Sequence, residues 1–97
     1  MTKEFLNLLQ YEKRYSRHTL ISYKNDLDQL NHFLELHYSD TNIHETNHAM
    51  LRDWIISLSS DGLDARSINR KVIAVRSYFK FLQKKGVIQL NPASKLS

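Results

Sequence analysis

Cysteine is absent from this chain of 97 residues, and helix breakers are scarce, with one proline and two glycines. Without a thiol, the chain can hold neither a disulfide framework nor a cysteine-based metal site or nucleophile. The scarcity of breakers, and the lack of any strictly alternating apolar segment, favour long helices over a β fold. The length fits one compact domain.

Long apolar runs are also missing. No run approaches the roughly 18 residues that cross a bilayer. The first residues, MTKEFLNLL, carry acidic and amide side chains where a signal peptide would be apolar. We therefore expect a cytoplasmic protein with no membrane partner.

Hydrophobic periodicity predicts four helices joined by short polar connections. Their expected bounds are about Lys3 to Arg14, Ser16 as N-cap to about Leu36, near Thr46 to Gly62, and about Ala65 to Lys85. The apolar stripes at spacings of three and four define the predicted core, which consists of Phe5, Leu8, Leu9, Leu20, Tyr23, Leu27, Leu30, Leu34, Leu51, Trp54, Ile55, Leu58, Ile68, Val72, Val75, Phe79 and Leu82.

Two glycines and the proline mark the ends of the later helices. Gly62 is well placed to end the third helix in the left-handed conformation, and Gly86 to end the fourth. Residues 91–97 are expected to form an extended tail, because Pro92 disfavours helix at the residue before it.

Residues 44–48 read HETNH and match the H-E-x-x-H pattern of zinc peptidases. In those enzymes the two histidines lie on one face of a long helix. Here Thr46 and Asn47 are cap formers and poor interior helix residues, so His44 is expected in a loop before the third helix. The sequence predicts no metal site and no cofactor, and it contains no recognisable nucleophile turn.

Charge is distributed unevenly along the chain, whose formal net charge is +4. Residues 26–64 contain eight acids and a single base, Arg52, whereas residues 65–86 contain seven bases and no acid. This asymmetry indicates a polyanionic partner on one face, although a solvated basic helix face would give the same pattern.

The second and fourth helices begin in a similar way. In residues 16–19 and 64–67, a capping side chain is followed by an arginine in the first turn and a hydroxyl three residues after the cap. A helix N-terminus presents free N–H groups and a positive dipole end, so these additions favour an anion such as phosphate. Ordinary capping by Ser16 and Asp64 is the alternative.

The outer half of the fourth helix is polar and basic. At about 100° per residue, the side chains opposite the buried stripe are Arg66, Asn69, Arg70, Arg76, Ser77, Lys80 and Lys84. Arginine can bind guanine bidentately and asparagine can bind adenine, so this face is typical of a DNA reader. A helical protein-interaction bundle, with a basic face for an acidic partner, remains open.

Several segments occur in a familiar order, namely SRHTLISYKNDL at 16–27, LRDWI at 51–55, DARSINRKVIAVRSYFKFL at 64–82 and NPA at 91–93. In this combination the sequence resembles the N-terminal core-binding domain of tyrosine recombinases, the phage integrase family. The resemblance covers nearly the whole chain. It implies an all-α fold, a compact SAM-like four-helix bundle with orthogonally packed helices. Residues 1–90 would form the DNA-binding domain, and residues 91–97 would begin the linker to a C-terminal catalytic domain.

In that family the domain is one half of a C-shaped clamp around duplex DNA at a recombination site. The implied partners are double-stranded DNA, the catalytic domain of the same parent chain, and other recombinase protomers on the DNA. The second and fourth helices face DNA, and the residues that this implies as contacts are Arg17, His18, Thr19, Lys24, Arg66, Ser67, Asn69, Arg70, Lys71, Arg76 and Lys80.

The catalytic half of that family has no counterpart in this sequence. All five tyrosines fall within the predicted bundle without a surrounding set of arginines and histidines, and Tyr23 is expected to pack in the core. The sequence therefore predicts no catalytic residue and a DNA-binding fragment of a longer recombinase.

Overall fold

Four α-helices account for most of the chain in the computed structural model, which describes residues 2–39 and 41–96. They are α1 (Thr2–Tyr11), α2 (Arg17–His37), α3 (His48–Ser60) and α4 (Ala65–Lys84), with one 3₁₀ turn, Ile43–Glu45, between α2 and α3. The described residues contain no strand, so the all-α prediction is confirmed. Parts of the predicted first domain, polar connection and tail, at Met1, Asp40 and Ser97, lie outside the described residues.

Local side-chain chemistry explains where three of the helices begin. Ser16, Asn47 and Asp64 each accept the backbone N–H of the residue three positions on, at 3.2, 2.9 and 2.8 Å. These bonds satisfy donors that have no partner within the helix. At the far ends of α3 and α4, Gly62 and Gly86 have φ angles of 93° and 77°, which side chains rarely tolerate. The predicted caps and glycine stops are confirmed.

Two local predictions need correction. Helix α1 ends at Tyr11 rather than near Arg14, because Arg14 adopts a left-handed conformation (φ 55°) and the Tyr15 N–H donates to the Leu9 carbonyl at 3.0 Å. His44 lies in the 3₁₀ turn rather than in an open loop. The sequence contains no glycine or proline at either place that would have indicated these differences.

The core lies where α2 and α4 meet the other helices, because each of these two packs against the remaining three. The predicted stripe is confirmed as the centre of the core, although Leu8, Leu20, Tyr23, Ile55 and Ile68 are only partly buried. The buried apolar residues are Phe5, Leu9, Leu27, Leu30, Leu34, Leu51, Trp54, Leu58, Val72, Ala74, Val75, Tyr78, Phe79, Phe81, Leu82, Ala93 and Leu96.

The buried face of α4 is wider than its predicted stripe. Tyr78 and Phe81 are buried because α1 packs on that side, and their ring centroids lie 5.3 and 5.5 Å from that of Phe5. Aromatic contacts of this kind stabilise a core beyond the area that they bury.

The prediction of an extended tail is wrong. Residues 92–95 form a turn, in which the Leu96 N–H donates to the Ala93 carbonyl at 3.2 Å. Ala93 and Leu96 are buried in the core. Pro92 prevents a longer helix, as expected, but nothing prevents the chain from turning back onto α4.

The cap at Asp64 should make part of the stability depend on pH. The backbone N–H and the hydroxyl of Ser67 donate to this carboxylate and hold its pKa below the ordinary value of 3.8. A depressed pKa in the folded state gives stability that is complete above the unfolded value and is lost as the pH falls through the folded value. Asp64→Ala should therefore destabilise the protein at pH 7, and this effect should be lost as the pH falls below 3.8 through the lowered pKa of the folded state.

Ser16 provides the matched control, because its hydroxyl caps α2 without titrating. Thermal unfolding of wild type, Asp64→Ala and Ser16→Ala should be measured between pH 7 and 2. The Tm difference caused by Asp64→Ala should shrink with acid while that caused by Ser16→Ala stays constant. A parallel pH profile for the two variants would contradict this role of the Asp64 charge.

Candidate nucleic-acid interface

One face of α4 forms a basic stripe. It consists of the exposed residues Arg66, Asn69, Arg70, Ile73, Lys80 and Lys84 with half-buried Ser77. At 1.5 Å per residue, the stripe extends for about 27 Å. Helix α4 contains no acid, so nothing on the helix itself offsets these charges. These residues are called the α4 stripe.

Basic residues from other segments extend the α4 stripe on both sides. Lys13 and Tyr15, which follow α1, share a surface depression with Ser77, Lys80 and Lys84. On the other side of Lys80, a second depression is lined by Arg76, His48 and Lys95 together with Leu90, Asn91, Pro92 and Ser94. Lys13, Lys95 and His48 were not among the predicted site residues, because none of them lies on α2 or α4.

Helices α2 and α4 contact each other in opposite chain order. Tyr23 lies beside Ser77, whereas Asp26, one turn further along α2, contacts residues 70 and 71 of α4. The N-terminus of α2 therefore lies towards the C-terminal half of α4. It follows that the two similar helix openings, at residues 16–19 and 64–67, are at opposite ends of the pair.

Both openings are occupied by ordinary capping bonds. The Thr19 hydroxyl lies 3.0 Å from the Ser16 hydroxyl, and Ser67 is half-buried beside the Asp64 cap. Arg17, His18 and Arg66 are exposed, and they remain the groups at these ends that can meet an anion.

Lys71 does not fit its predicted role as a DNA contact. Its side chain is only 6% exposed. The Lys71 ammonium donates to the Asp26 carboxylate at 2.8 Å and to the Gln29 side-chain oxygen at 2.5 Å. A buried charge requires such partners, so Lys71 joins α4 to α2 inside the protein.

Asp26 lies within the family-like segment at residues 16–27, but the sequence predicted no role for it. It is 1% exposed, and its Oδ1 atom accepts from both Lys71 and, at 3.3 Å, Arg70. The available signal was an acid on the apolar side of α2, beside Leu27 and one turn before Leu30. An acid in that position requires a buried cation.

Lys24 and Asp28 form an exposed pair at 2.8 Å on α2. Lys24 lies two residues before Asp26, about 200° around the helix, so it faces away from the contact with α4. Its charge is offset by Asp28, which makes it a weaker candidate for an anion than the residues of the α4 stripe.

Arg76 binds the end of the chain rather than projecting freely. Its Nε donates to the Ala93 carbonyl at 3.2 Å, and a terminal nitrogen donates to the Leu96 carbonyl. In return, the Asn91 side chain donates to the Arg76 carbonyl at 3.4 Å. The predicted DNA contact at Arg76 is thus committed to holding the turn that follows α4.

Tyr23 packs as predicted and shows no sign of activation. Burial raises the pKa of its hydroxyl and neighbouring Tyr15 raises it further, whereas a hydrogen bond with Ser77 lowers it. Because the net shift is upwards, the hydroxyl stays protonated at neutral pH. Among residues 2–39 and 41–96, no three His, Asp or Glu side chains lie close enough to hold a metal ion.

A groove of about 760 Å³ between α2 and α3 has a different chemistry. Leu36 and Trp54 contribute apolar surface, and Asp28 and Asp61 lie along it. It shares no lining residue with the depressions beside the α4 stripe. We exclude this groove from the candidate interface because it offers a polyanion no exposed lysine or arginine.

Comparison with protein families decides what kind of domain this is. Residues 2–86 match the phage integrase N-terminal SAM-like domain. The chain belongs to this family. The predicted resemblance and the all-α bundle are thereby confirmed. In the part of the chain that the structure describes, no helix is long and apolar enough to span a membrane.

Curated relatives within the family are tyrosine recombinases. XerD of Rickettsia conorii is 40% identical over 90 residues, which cover 92% of this chain and 28% of that protein. XerC of Staphylococcus haemolyticus is 35% identical over 88 residues, which cover 91% of this chain and 29% of that protein. The chain thus spans less than a third of the length of these relatives. No solved structure gives a significant match.

The buried ion pair leads to a stability prediction. Lys71→Met leaves the Asp26 carboxylate buried with only half-exposed Arg70 beside it, and we expect a loss of about 3 kcal/mol in the free energy of unfolding. Lys24→Met breaks the exposed pair with Asp28 and should cost less than about 0.5 kcal/mol. Urea unfolding of both variants measures the difference, and similar losses would show that the Asp26–Lys71 contact is not structural.

Arg76 should hold the turn at residues 91–96. In Arg76→Ala two carbonyls lose a charged donor, so we expect a loss of about 2 kcal/mol and faster hydrogen exchange at the Leu96 amide. Lys80→Ala, one turn further along α4 and exposed, is the matched control and should leave that exchange rate unchanged. Unaltered Leu96 exchange in Arg76→Ala would contradict this role.

Proposed function

We propose that this chain is the DNA-binding module of a site-specific tyrosine recombinase and contacts duplex DNA through the α4 stripe and the N-terminal end of α2. The observation that carries this proposal is the acid-free row of exposed basic groups on one rigid helix. Membership of the phage integrase N-terminal SAM-like family supports it, as do relatives named tyrosine recombinases.

The arrangement suits a polyanion better than an acidic protein groove. The stripe extends for about 27 Å, slightly less than one turn of duplex, whose length is about 34 Å. A single long helix can follow a groove, and its Arg and Lys side chains reach phosphates on either side. Arg66, Asn69 and Arg70 lie together at one end, where they could reach base edges.

Several predicted contacts are revised by this proposal. Arg17, His18, Arg66, Asn69, Arg70 and Lys80 are kept as the principal contacts, and Lys84 is added. Thr19 and Ser67, whose N–H groups donate to the caps Ser16 and Asp64, would lie close to the DNA, and Lys24 would be peripheral. Lys71 and Arg76 act within the domain. We also propose that the domain, predicted to end at residue 90, extends to Leu96, and the burial of Ala93 and Leu96 in the core supports this.

In the whole recombinase, this module would clamp one side of the recombination site and so support DNA integration or recombination by a catalytic domain. We propose no chemistry for residues 1–97 themselves. The partners would be duplex DNA, the catalytic domain of the parent chain, and other protomers assembled on the DNA.

Binding of the 97-residue chain to duplex DNA across a salt series tests the proposal. Displacement of counterions predicts that the logarithm of affinity falls linearly with the logarithm of salt concentration, by about 0.9 for each phosphate contacted. Arg66→Ala should weaken binding and reduce this slope by about 1. Arg52→Ala removes the same charge from exposed α3 and should change the slope little.

Two results would count against the proposal in different ways. An absence of binding at low salt would reject the DNA-binding module and favour the protein-interaction bundle. Equal slopes for Arg66→Ala and Arg52→Ala, with binding retained, would mean that DNA contacts a surface other than the α4 stripe.

A further inference from the structure

Two cations share one buried carboxylate at the edge of the α4 stripe. The Oδ1 atom of Asp26 accepts from Lys71 at 2.8 Å and from Arg70 at 3.3 Å. One cation is sufficient to neutralise a single carboxylate. The second contact therefore needs a different explanation.

The two cations differ in burial and in how they bind. Lys71 is buried, and its shorter contact is supported by Gln29, so it supplies the charge that the interior requires. The Arg70 side chain is 52% exposed and reaches Asp26 through one terminal nitrogen. A guanidinium has five N–H donors, so most of those of Arg70 remain available.

The geometry of this contact limits how strongly Asp26 holds Arg70. Both cations use Oδ1, and Oδ2 is buried without a hydrogen-bond partner among the described residues. Arg70 therefore does not form the two parallel bonds of a bidentate pair, which would be stronger and more specific. The contact orients the guanidinium, and Lys71 already balances the carboxylate charge.

We propose that Asp26 is a positioning residue that holds the Arg70 guanidinium over the α4 stripe, ready to bind DNA. This inference rests on the proposed function. An arginine that is already ordered loses less rotamer freedom on binding, which improves affinity without adding a contact. Lys71 makes the device possible, because without it Asp26 would compete with DNA for Arg70.

The test removes the orientation without changing net charge. In the double variant Asp26→Asn with Lys71→Met, one negative and one positive group disappear together, and no uncompensated charge is left in the core. We expect duplex DNA affinity to fall about three- to tenfold. The salt slope should stay unchanged, because Arg70 still meets its phosphate. Arg70→Ala should instead reduce the slope by about 1.

A double-mutant cycle separates positioning from a general structural effect. Adding Asp26→Asn with Lys71→Met to Arg70→Ala should change the affinity by less than about twofold. Arg66→Ala affects the same stripe at a residue without contact to Asp26. Adding the same pair to Arg66→Ala should still lower DNA affinity about three- to tenfold. An equal loss of DNA affinity in the Arg70→Ala and Arg66→Ala backgrounds would overturn the inference.

Side-chain order gives a second test if the double variant does not fold, because it is measured on the wild type. In the free protein, NMR relaxation of the Arg70 Nε–H should show a more ordered side chain than that of Arg66, which is exposed on the same stripe without contact to Asp26. Equal order of the two side chains would overturn the inference. Failure of wild type itself to bind duplex DNA would instead reject the proposed function.

Discussion

The buried contact between Asp26 and Lys71 constrains how the two longest helices pack. Their charged groups are 2.8 Å apart and almost inaccessible to solvent. Any other register of α2 on α4 would leave a carboxylate and an ammonium buried without partners, at a cost of several kcal/mol. The same register places Tyr23 beside Ser77. It also sets the end of α4 at which the N-terminus of α2 lies, and so how the two basic openings are separated.

Helical geometry lets one carboxylate serve both the core and the surface. Residues 70 and 71 are neighbours in sequence, and consecutive side chains on an α-helix point about 100° apart. At the edge of the buried face of α4, this angle sends Lys71 inwards and Arg70 towards solvent. Because both reach Asp26, the orientation of a surface arginine is tied to the packing of the interior. The Arg70 side chain of the α4 stripe is therefore held by a buried residue.

The sequence predicted those features of the fold whose interacting residues lie close together in the chain. The caps at Ser16, Asn47 and Asp64 involve partners three residues away, so their residue types were sufficient. The buried stripes likewise follow from helical periodicity alone.

Helical periodicity already excluded Lys71 from the outer half of α4 but did not identify its partner, and Arg76 could not be distinguished from the exposed bases of that half. The partner of Lys71 lies 45 residues earlier in the chain, and those of Arg76 lie 17 and 20 residues later. A charge pattern along the chain carries no information about such distant partners.

The number of free charges explains why their orientation matters. Of the seven bases in residues 65–86, Lys71 and Arg76 are engaged inside the fold, which leaves five at the surface. Electrostatic attraction to DNA grows with the number of phosphates neutralised, so four charges on α4 and that of Lys85 directly after it limit what this segment can supply. Ordering a long side chain on binding costs about 0.5–1.5 kcal/mol, a substantial part of so small a total. A rigid helix fixes only the backbone of the α4 stripe, so in the proposed complex the contact with Asp26 would lower this side-chain cost for Arg70. In the proposed complex, affinity would therefore depend on how firmly the fold holds each charged group as well as on the amount of positive charge.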